Sequence, residues 1–219
     1  MKDTVIFDLD GTLLNTLEDL HDAVNYAMRN CGFPERTLEE IRRFVGNGVR
    51  VLVRRAVPEN TPDNEYEKAY SLFRTYYKEN MENHTRPYDG IVELLDNLKN
   101  AGFKIAIVTN KADFAAIPLC KRMFPQVETV IGTNDKTIPK PDPCGVYRAL
   151  EILGSKKEDA FYIGDSEVDA ETAFNSGLKL ISVLWGFRTK DELRKIGLDF
   201  FVSTPKELEN VLISSKKMS

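Results

Sequence analysis

A chain of 219 residues, 42% hydrophobic and 10% aromatic, carries enough apolar side chain to bury a sizeable core, which excludes disorder as the default and fits one large domain or one domain with a smaller insertion. Its 34 acidic and 30 basic residues are interspersed, for a formal charge of −4 without a basic block, so composition gives no reason to expect nucleic acid or membrane as a partner. Three widely spaced cysteines, Cys31, Cys120 and Cys144, argue for a reducing compartment and against zinc, and each reads as a small buried hydrophobe. The chain enters a strand pattern almost at once and has no apolar run of spanning length, so neither a signal peptide nor a membrane helix is expected, and a cytoplasmic protein is.

The first element runs from Thr4 to Leu9, where alternation and β-branched and aromatic residues describe a buried strand. It brings Asp8 and Asp10 to its C-terminal edge, where open α/β sheets place their ligands. A strand simply closed by Asp-Gly turn chemistry is the plain alternative, and the second acid counts against it. Thr16 followed by Asp19 has the spacing of a capping box, and Leu17, Leu20, Val24, Ala27 and Met28 repeat at helical spacing up to Cys31-Gly32. Helical patterns follow over Leu38 to Val45 and Val49 to Val57, on either side of Gly46-Asn47-Gly48, and a tyrosine-rich one runs from about Asn64 to Met81. From Tyr88 onward helices and strands alternate: helix Ile91 to Asn100, strand Lys104 to Val108, helix near Phe114 to Met123, strand near Thr129 to Ile131. Helix Gly145 to Leu153, strand Ala160 to Ile163, helix Val168 to Asn175, strand Lys179 to Leu184, a short strand Phe200 to Val202 and a helix after Pro205 complete the pattern. Such alternation with apolar strands predicts an α/β fold, a Rossmann-like parallel sheet with helices on both faces. The sheet domain would comprise residues 1–14 and 86–219 and be interrupted after its first strand by an all-helical domain, 15–85; the polar tail Ser214 to Ser219 is expected to fray.

Reading the C-terminal edge of each core strand collects Asp8 and Asp10, then Thr109-Asn110, then Gly164-Asp165-Ser166 with Asp169, while Lys140 lies in a loop between two prolines that reaches the same edge. Taken singly these residues are ordinary: a solvated lysine, a strand-end turn, an aspartate at a helix start. Together, clustered carboxylates repel strongly without an opposite charge, and all-oxygen ligands select Mg²⁺ over zinc. A metal with a lysine and a hydroxyl makes a socket for a phosphoryl group.

Asp8-Leu9-Asp10-Gly11-Thr12-Leu13, Thr109-Asn110, Lys140-Pro141 and Gly164-Asp165-Ser166-Glu167-Val168-Asp169 resemble the four ordered motifs of the haloacid dehalogenase-like superfamily, over nearly the whole chain. Thr109-Asn110-Lys111, Lys140-Pro141-Asp142-Pro143 and Tyr147-Arg148-Ala149-Leu150 are similar to its phosphoglycolate phosphatase-like branch, and residues 15–85 resemble its helical cap. The resemblance implies a phosphatase in which Asp8 is the nucleophile and a ligand of Mg²⁺, and Asp10 is general acid and then general base, its backbone carbonyl binding the metal. Asp165 would be the third protein ligand, with Ser166 and Asp169 orienting metal-bound water from behind it. Thr109, Asn110 and Gly11 would cradle the phosphoryl oxygens while Lys140 offsets charge on Asp8. Asp10 argues for an alkoxide rather than a halide leaving group, because only the alkoxide needs a proton. Thr12 favours a phosphatase over a phosphomutase of the β-phosphoglucomutase kind.

In the helical domain, Asn47, Gly48 and Arg50 resemble the loop that selects the substrate; Arg50 reads either as a partner for a substrate carboxylate or second phosphate or as a solvated helix charge, with Arg54 and Arg55 as weaker candidates. Tyr66, Tyr70, Phe73, Tyr76 and Tyr77 read as a helix-packing stripe, His21 and His84 share no ligand spacing, and Trp185-Gly186-Phe187 borders the site or packs. The expected substrate is a small soluble phosphomonoester such as 2-phosphoglycolate; pyrophosphate, or a sugar or nucleotide phosphate, is the close alternative and a phosphomutase the more distant one. The protein is expected to act as a monomer or homodimer.

Overall fold

Residues 2–134 and 137–217 are described in the computed structural model. Strand β1 (Thr4–Phe7) buries Val5 and Phe7 in one apolar cluster and Ile6 in another, the result of period-two alternation in a strand covered on both faces. The chain then passes through β2 (Leu14–Asn15), which pairs with β3 (Arg86–Pro87), and between them lie helices α1 (Leu17–Cys31), α2 (Leu38–Phe44), α3 (Val49–Ala56) and α4 (Asp63–Asn80). After β3 come α5 (Ile91–Asn100), β4 (Lys104–Ala112), α6 (Asp113–Met123), β5 (Thr129–Thr133), α7 (Cys144–Leu153), β6 (Ala160–Gly164), α8 (Glu167–Ser176), β7 (Lys179–Val183), α9 (Lys190–Lys195), β8 (Phe201–Val202) and α10 (Pro205–Lys217). The large sheet has six strands in the order β5-β4-β1-β6-β7-β8, every pairing parallel. This is the α/β arrangement that the sequence predicts.

The chain divides into two compact units, Met1–Leu14 with Pro87–Ser219, and Asn15–Arg86. In the sheet unit, α5, α6 and α10 bury Leu94, Leu95, Leu98, Leu119, Leu208 and Leu212 in one cluster with Val5, Phe7, Ile105, Ile107 and Ile163. In the other cluster, α7 brings Val146, Ala149, Leu150 and Leu153 together with Ile6, Ala106, Val108 and Tyr162. Each fully buried Leu, Ile or Phe contributes roughly 1.5–3 kcal/mol, which is what holds the strand ends rigid enough to carry a site. β1 lies inside the sheet between β4 and β6: from β1 the chain moves outward through β4 to β5, then crosses back to β6 and continues the other way through β7 to β8, so the direction of travel across the sheet reverses beside β1. A crevice at that reversal is where such sheets bind ligands.

In the helical unit, α1 and α4 carry most of the packing, with Val24, Ala27, Met28, Ala69 and Phe73 buried and Tyr26 stacked on Tyr76 at 4.4 Å between ring centroids. The aromatic stripe of α4 is therefore structural: Tyr66, Phe73 and Tyr77 are buried, and Tyr70 and Tyr76 half-buried. Among the described residues no helix is long and apolar enough to cross a membrane.

Four local expectations are corrected. Thr16 makes no capping bond, and its buried hydroxyl lacks a partner among the described residues; Asp19 instead accepts the backbone N–H groups of His84 at 2.9 Å and Thr85 at 2.8 Å. Two main-chain donors on a distant segment outweigh one local cap. Of the cysteines only Cys120 is buried; Cys31 and Cys144 are half-exposed. The tail to Lys217 continues α10 rather than fraying, and residues 218–219 lie outside the described residues. Asp165 does not cap α8; Ser166 does, in a reciprocal capping box with Asp169.

Candidate active site

The site begins at the end of β1, where the Asp8 N–H donates to the Ile163 carbonyl at 2.9 Å and so fixes the residue in register with β6. The Leu9 carbonyl then accepts the N–H groups of Thr12, Leu13 and Leu14 at 3.3, 3.0 and 2.9 Å, closing a tight turn. Gly11 sits in this turn at φ +97°, and a Cβ there would lie 2.6 Å from Asp165 Oδ2, so both the backbone conformation and the close approach to Asp165 require glycine.

Lys140 reaches the same place from the loop before α7. Its Nζ donates to Asp8 Oδ1 at 2.6 Å, to Asp169 Oδ1 at 2.7 Å and to the Tyr162 hydroxyl at 3.1 Å. The lysine loop is held by Asn110, which donates through Nδ2 to the Lys140 carbonyl at 3.1 Å and accepts the Lys140 N–H on Oδ1 at 2.7 Å. Here the structure differs from expectation: the amide of Asn110 grips main chain instead of pointing at a phosphoryl group. Thr109 accepts the Lys111 N–H on Oγ1 at 3.1 Å, which fixes the oxygen and leaves its hydroxyl proton to donate.

Asp169 is held from both sides. Besides Lys140 and Tyr162 on Oδ1, its Oδ2 accepts Ser166 Oγ at 2.6 Å, Ser166 N–H at 3.1 Å and Asp165 N–H at 3.2 Å. Asp165 accepts Thr12 Oγ1 on Oδ1 at 3.1 Å and the Phe187 N–H on Oδ2 at 2.7 Å. The Trp185-Gly186-Phe187 segment after β7 thus borders the site: Trp185 Nε1 donates to the Thr12 carbonyl at 2.9 Å, and a Cβ on Gly186 would meet Asp165 Cγ at 2.6 Å.

Oxygens of Asp8, Asp165 and Asp169 lie within 4.8 Å of one another, all three residues buried. Burial pushes the Asp8 carboxyl well above the usual carboxylate range; Lys140 offsets this only in part, and Asp169 and Asp165 add to it. Burial and then Asp169 push Asp165 up to about 7, against the Phe187 N–H. Lys140 loses by burial but gains more from Asp169 and Asp8, so its ammonium is held well above its ordinary range. Three acids around one ammonium leave an excess of negative charge in a low-dielectric place, and an all-oxygen donor set of this kind fits a hard divalent cation. Asp169, whose two oxygens are already taken by five donors, is placed to orient its neighbours. Asp165 accepts one donor on each oxygen, and Asp8 accepts Lys140 on Oδ1.

A family model described as haloacid dehalogenase-like hydrolase matches residues 5–183. The chain belongs to that family. A relative from Thiobacillus denitrificans named phosphoglycolate phosphatase is 34% identical over 218 residues, covering 97% of this chain and 95% of its own length. Another of that name, from Aquifex aeolicus, is 30% identical with 95% of each chain covered. A solved structure from Lactobacillus delbrueckii subsp. bulgaricus, provisionally assigned as a phosphoglycolate phosphatase, matches with a TM-score of 0.92 at 33% identity over 96% of this chain and 98% of that one. The chain is therefore a hydrolase in the phosphoglycolate phosphatase-like branch of the haloacid dehalogenase-like family.

The residues singled out in the helical unit have other partners. Arg50 donates to Glu67 at 2.8 Å and stacks on the Tyr70 ring at 4.3 Å. Asn47 Oδ1 accepts Arg55 Nη2 at 3.0 Å, Gly48 starts α3 at φ +82°, and Arg54 pairs with Asp63 at 2.7 Å. His21 meets Asp22 and Asn25, and His84 lies 3.4 Å from Glu18. Several residues of the sheet-edge site escape sequence reasoning. Tyr162 reads as strand interior, and Arg188, whose guanidinium donates to both oxygens of Glu167 at 2.7 and 2.8 Å, reads as surface charge. Lys111 stands in the quoted stretch Thr109-Asn110-Lys111 without a role; its Nζ lies 3.0 and 3.3 Å from the two carboxylate oxygens of Asp10.

Proposed function

We propose that this hydrolase is a Mg²⁺-dependent phosphatase that cleaves a small phosphomonoester, 2-phosphoglycolate or a close analogue, through an aspartyl phosphate on Asp8. One observation carries the reading: the Lys140 ammonium lies between Asp8 and Asp169 beside Asp165, with a second aspartate, Asp10, two residues after Asp8. The names of the relatives in Thiobacillus denitrificans and Aquifex aeolicus support the substrate class.

Asp8 and Asp165, with the backbone carbonyl of Asp10, would hold the ion, which when bound neutralises charge on the phosphoryl oxygens and on the acids. A carboxylate oxygen of Asp8 attacks phosphorus in line, and the bond from phosphorus to the alkoxy oxygen breaks. Asp10 gives its proton to the departing alkoxide. Lys140 stabilises the charge that builds on the phosphoryl group, and the Thr109 hydroxyl donates to its oxygens. In the second half, Asp10, now a carboxylate, takes a proton from the water that attacks the phosphoaspartate, releasing inorganic phosphate and restoring Asp8.

A screen of phosphorylated metabolites with Mg²⁺, scored by phosphate release and kcat/KM, is expected to rank 2-phosphoglycolate or a similar small monoester first. Preference for pyrophosphate or net isomerisation of a sugar phosphate would replace the substrate assignment. Asp8→Asn should lower turnover by at least about 10³-fold while the protein keeps its fold by circular dichroism. Substantial residual activity would sink Asp8 as nucleophile.

A further inference from the structure

Two buried lysines serve the two aspartates that follow β1. Lys140 lies against Asp8, and Lys111, near the end of β4, spans both oxygens of Asp10 at 3.0 and 3.3 Å with its own side chain 4% exposed and that of Asp10 18% exposed. The main chain of Asp10 is set by its bridge to Leu14, but that bridge leaves the two side-chain torsions undetermined. An ammonium placed across both carboxylate oxygens fixes both torsions. A buried ion pair is weak evidence of stabilisation, because desolvation of both charges offsets their attraction. Its value here is geometric: a general acid must sit within hydrogen-bond reach of the oxygen it protonates, and an error of 1 Å costs about 10²-fold. Lys111 is also well placed for the charge change, since Asp10 becomes an anion when it gives up its proton.

We propose that Lys111 is a positioning residue that aims the Asp10 carboxyl at the leaving oxygen and receives the carboxylate that Asp10 becomes. The inference rests on Asp10 being the proton carrier, and its step balances without a further reactant: the phosphorus–oxygen bond breaks, the Asp10 proton passes to the alkoxide, and Lys111 stays an ammonium throughout. It follows that the contribution of Lys111 scales with the leaving group's need for a proton.

The test measures kcat/KM with Mg²⁺ for 2-phosphoglycolate, ethyl phosphate and p-nitrophenyl phosphate in the full-length protein and in Lys111→Met, Lys111→Arg, Asp10→Asn and Asp10→Asn/Lys111→Met. Because kcat/KM reports only events up to transfer of phosphate to Asp8, the nitrophenolate needs no acid in it. Lys111→Met is expected to lose about 10- to 100-fold on both alkyl phosphates and less than about 3-fold on the aryl one. Lys111→Arg, which keeps the cation should the methionine variant fold poorly, should recover most of the loss. Added to Asp10→Asn, the methionine substitution should cost less than about 2-fold more, as expected of two residues acting as one unit. Equal losses on all three substrates, or a full additional loss on the Asp10→Asn background, would overturn the proposal. So would a loss confined to 2-phosphoglycolate, which would make Lys111 a contact for the substrate carboxylate. Absence of leaving-group selectivity in Asp10→Asn itself would instead remove the acid role of Asp10, and this inference with it.

Discussion

The glutamates of α2 and the buried aspartates Asp8 and Asp165 at the sheet edge are moved in opposite directions by the same short list of forces. Glu39, exposed on α2, is drawn down to about 2 by hydrogen bonds from Arg42 and Arg43, and Glu40 is lowered by the Thr37 N–H in a capping box. At the sheet edge Asp8 and Asp165 are pushed up although Lys140 and the Phe187 N–H oppose the shift. In water a donor needs only to compete with solvent, so the hydrogen bond decides; in the interior the loss of hydration decides, and each partner returns only part of it. Ion pairs on the helices therefore describe a solvated surface, whereas those at the strand ends describe a place where charge is held at a cost until a ligand arrives.

The sharpest break of this contrast is Lys140→Met. Removing the ammonium leaves Asp8 and Asp169 facing each other without a cation, which should destabilise the protein by about 3–5 kcal/mol in urea unfolding. It should also lower kcat by at least about 10³-fold, because charge stabilisation at phosphorus is lost as well. A variant that unfolds at the same urea concentration and keeps kcat within tenfold would mean that the interior acids do not depend on this lysine.

A smaller effect should appear in the pH dependence of the metal-free protein. The folded-state value of Asp165 is raised, so the folded chain holds that proton more tightly than the unfolded chain does. Stability from this group is thus fullest below the unfolded value and declines as pH rises toward about 7, and Asp8 acts in the same sense. A divalent cation that replaces the proton should reverse the decline. The rise in Tm on adding Mg²⁺ to chelator-treated protein is accordingly expected to be larger near pH 8 than near pH 5. An equal rise at both would show that ionisation of the buried acids is not what the ion compensates.

What could be read in advance follows the range over which each feature is decided. Strand β1 was legible because Val5, Ile6 and Phe7 alternate between two apolar clusters, and the convergence of Asp8, Lys140, Asp165 and Asp169 was legible because parallel strands send their C-terminal ends to one edge. Features fixed by distant partners were not. Thr16 and Asp19 have the spacing of a cap, yet the carboxylate belongs to backbone donors 65 and 66 positions away. The return of Trp185, Gly186 and Phe187 onto the turn at Thr12 and onto Asp165 is a tertiary closure with no local signature. The short α9, by contrast, carries a legible capping box in Thr189 and Glu192, which the apolar pattern alone passes over.

Arg50 gives the smallest and the most discriminating test on the helical side. Its guanidinium and Glu67 are 59% and 53% exposed, and a pair so wetted contributes no more than about 0–1 kcal/mol. Stacking on Tyr70 adds a contact of similar size, so Arg50→Ala should shift stability by less than about 1 kcal/mol and leave KM for 2-phosphoglycolate within about twofold. The same argument sets what a different result would mean. If KM rose severalfold for carboxylated substrates and not for ethyl phosphate, the arginine would be exchanging Glu67 for a substrate anion. An exposed pair is inexpensive to break, so this exchange is open to Arg50 in a way that it is not open to Lys140.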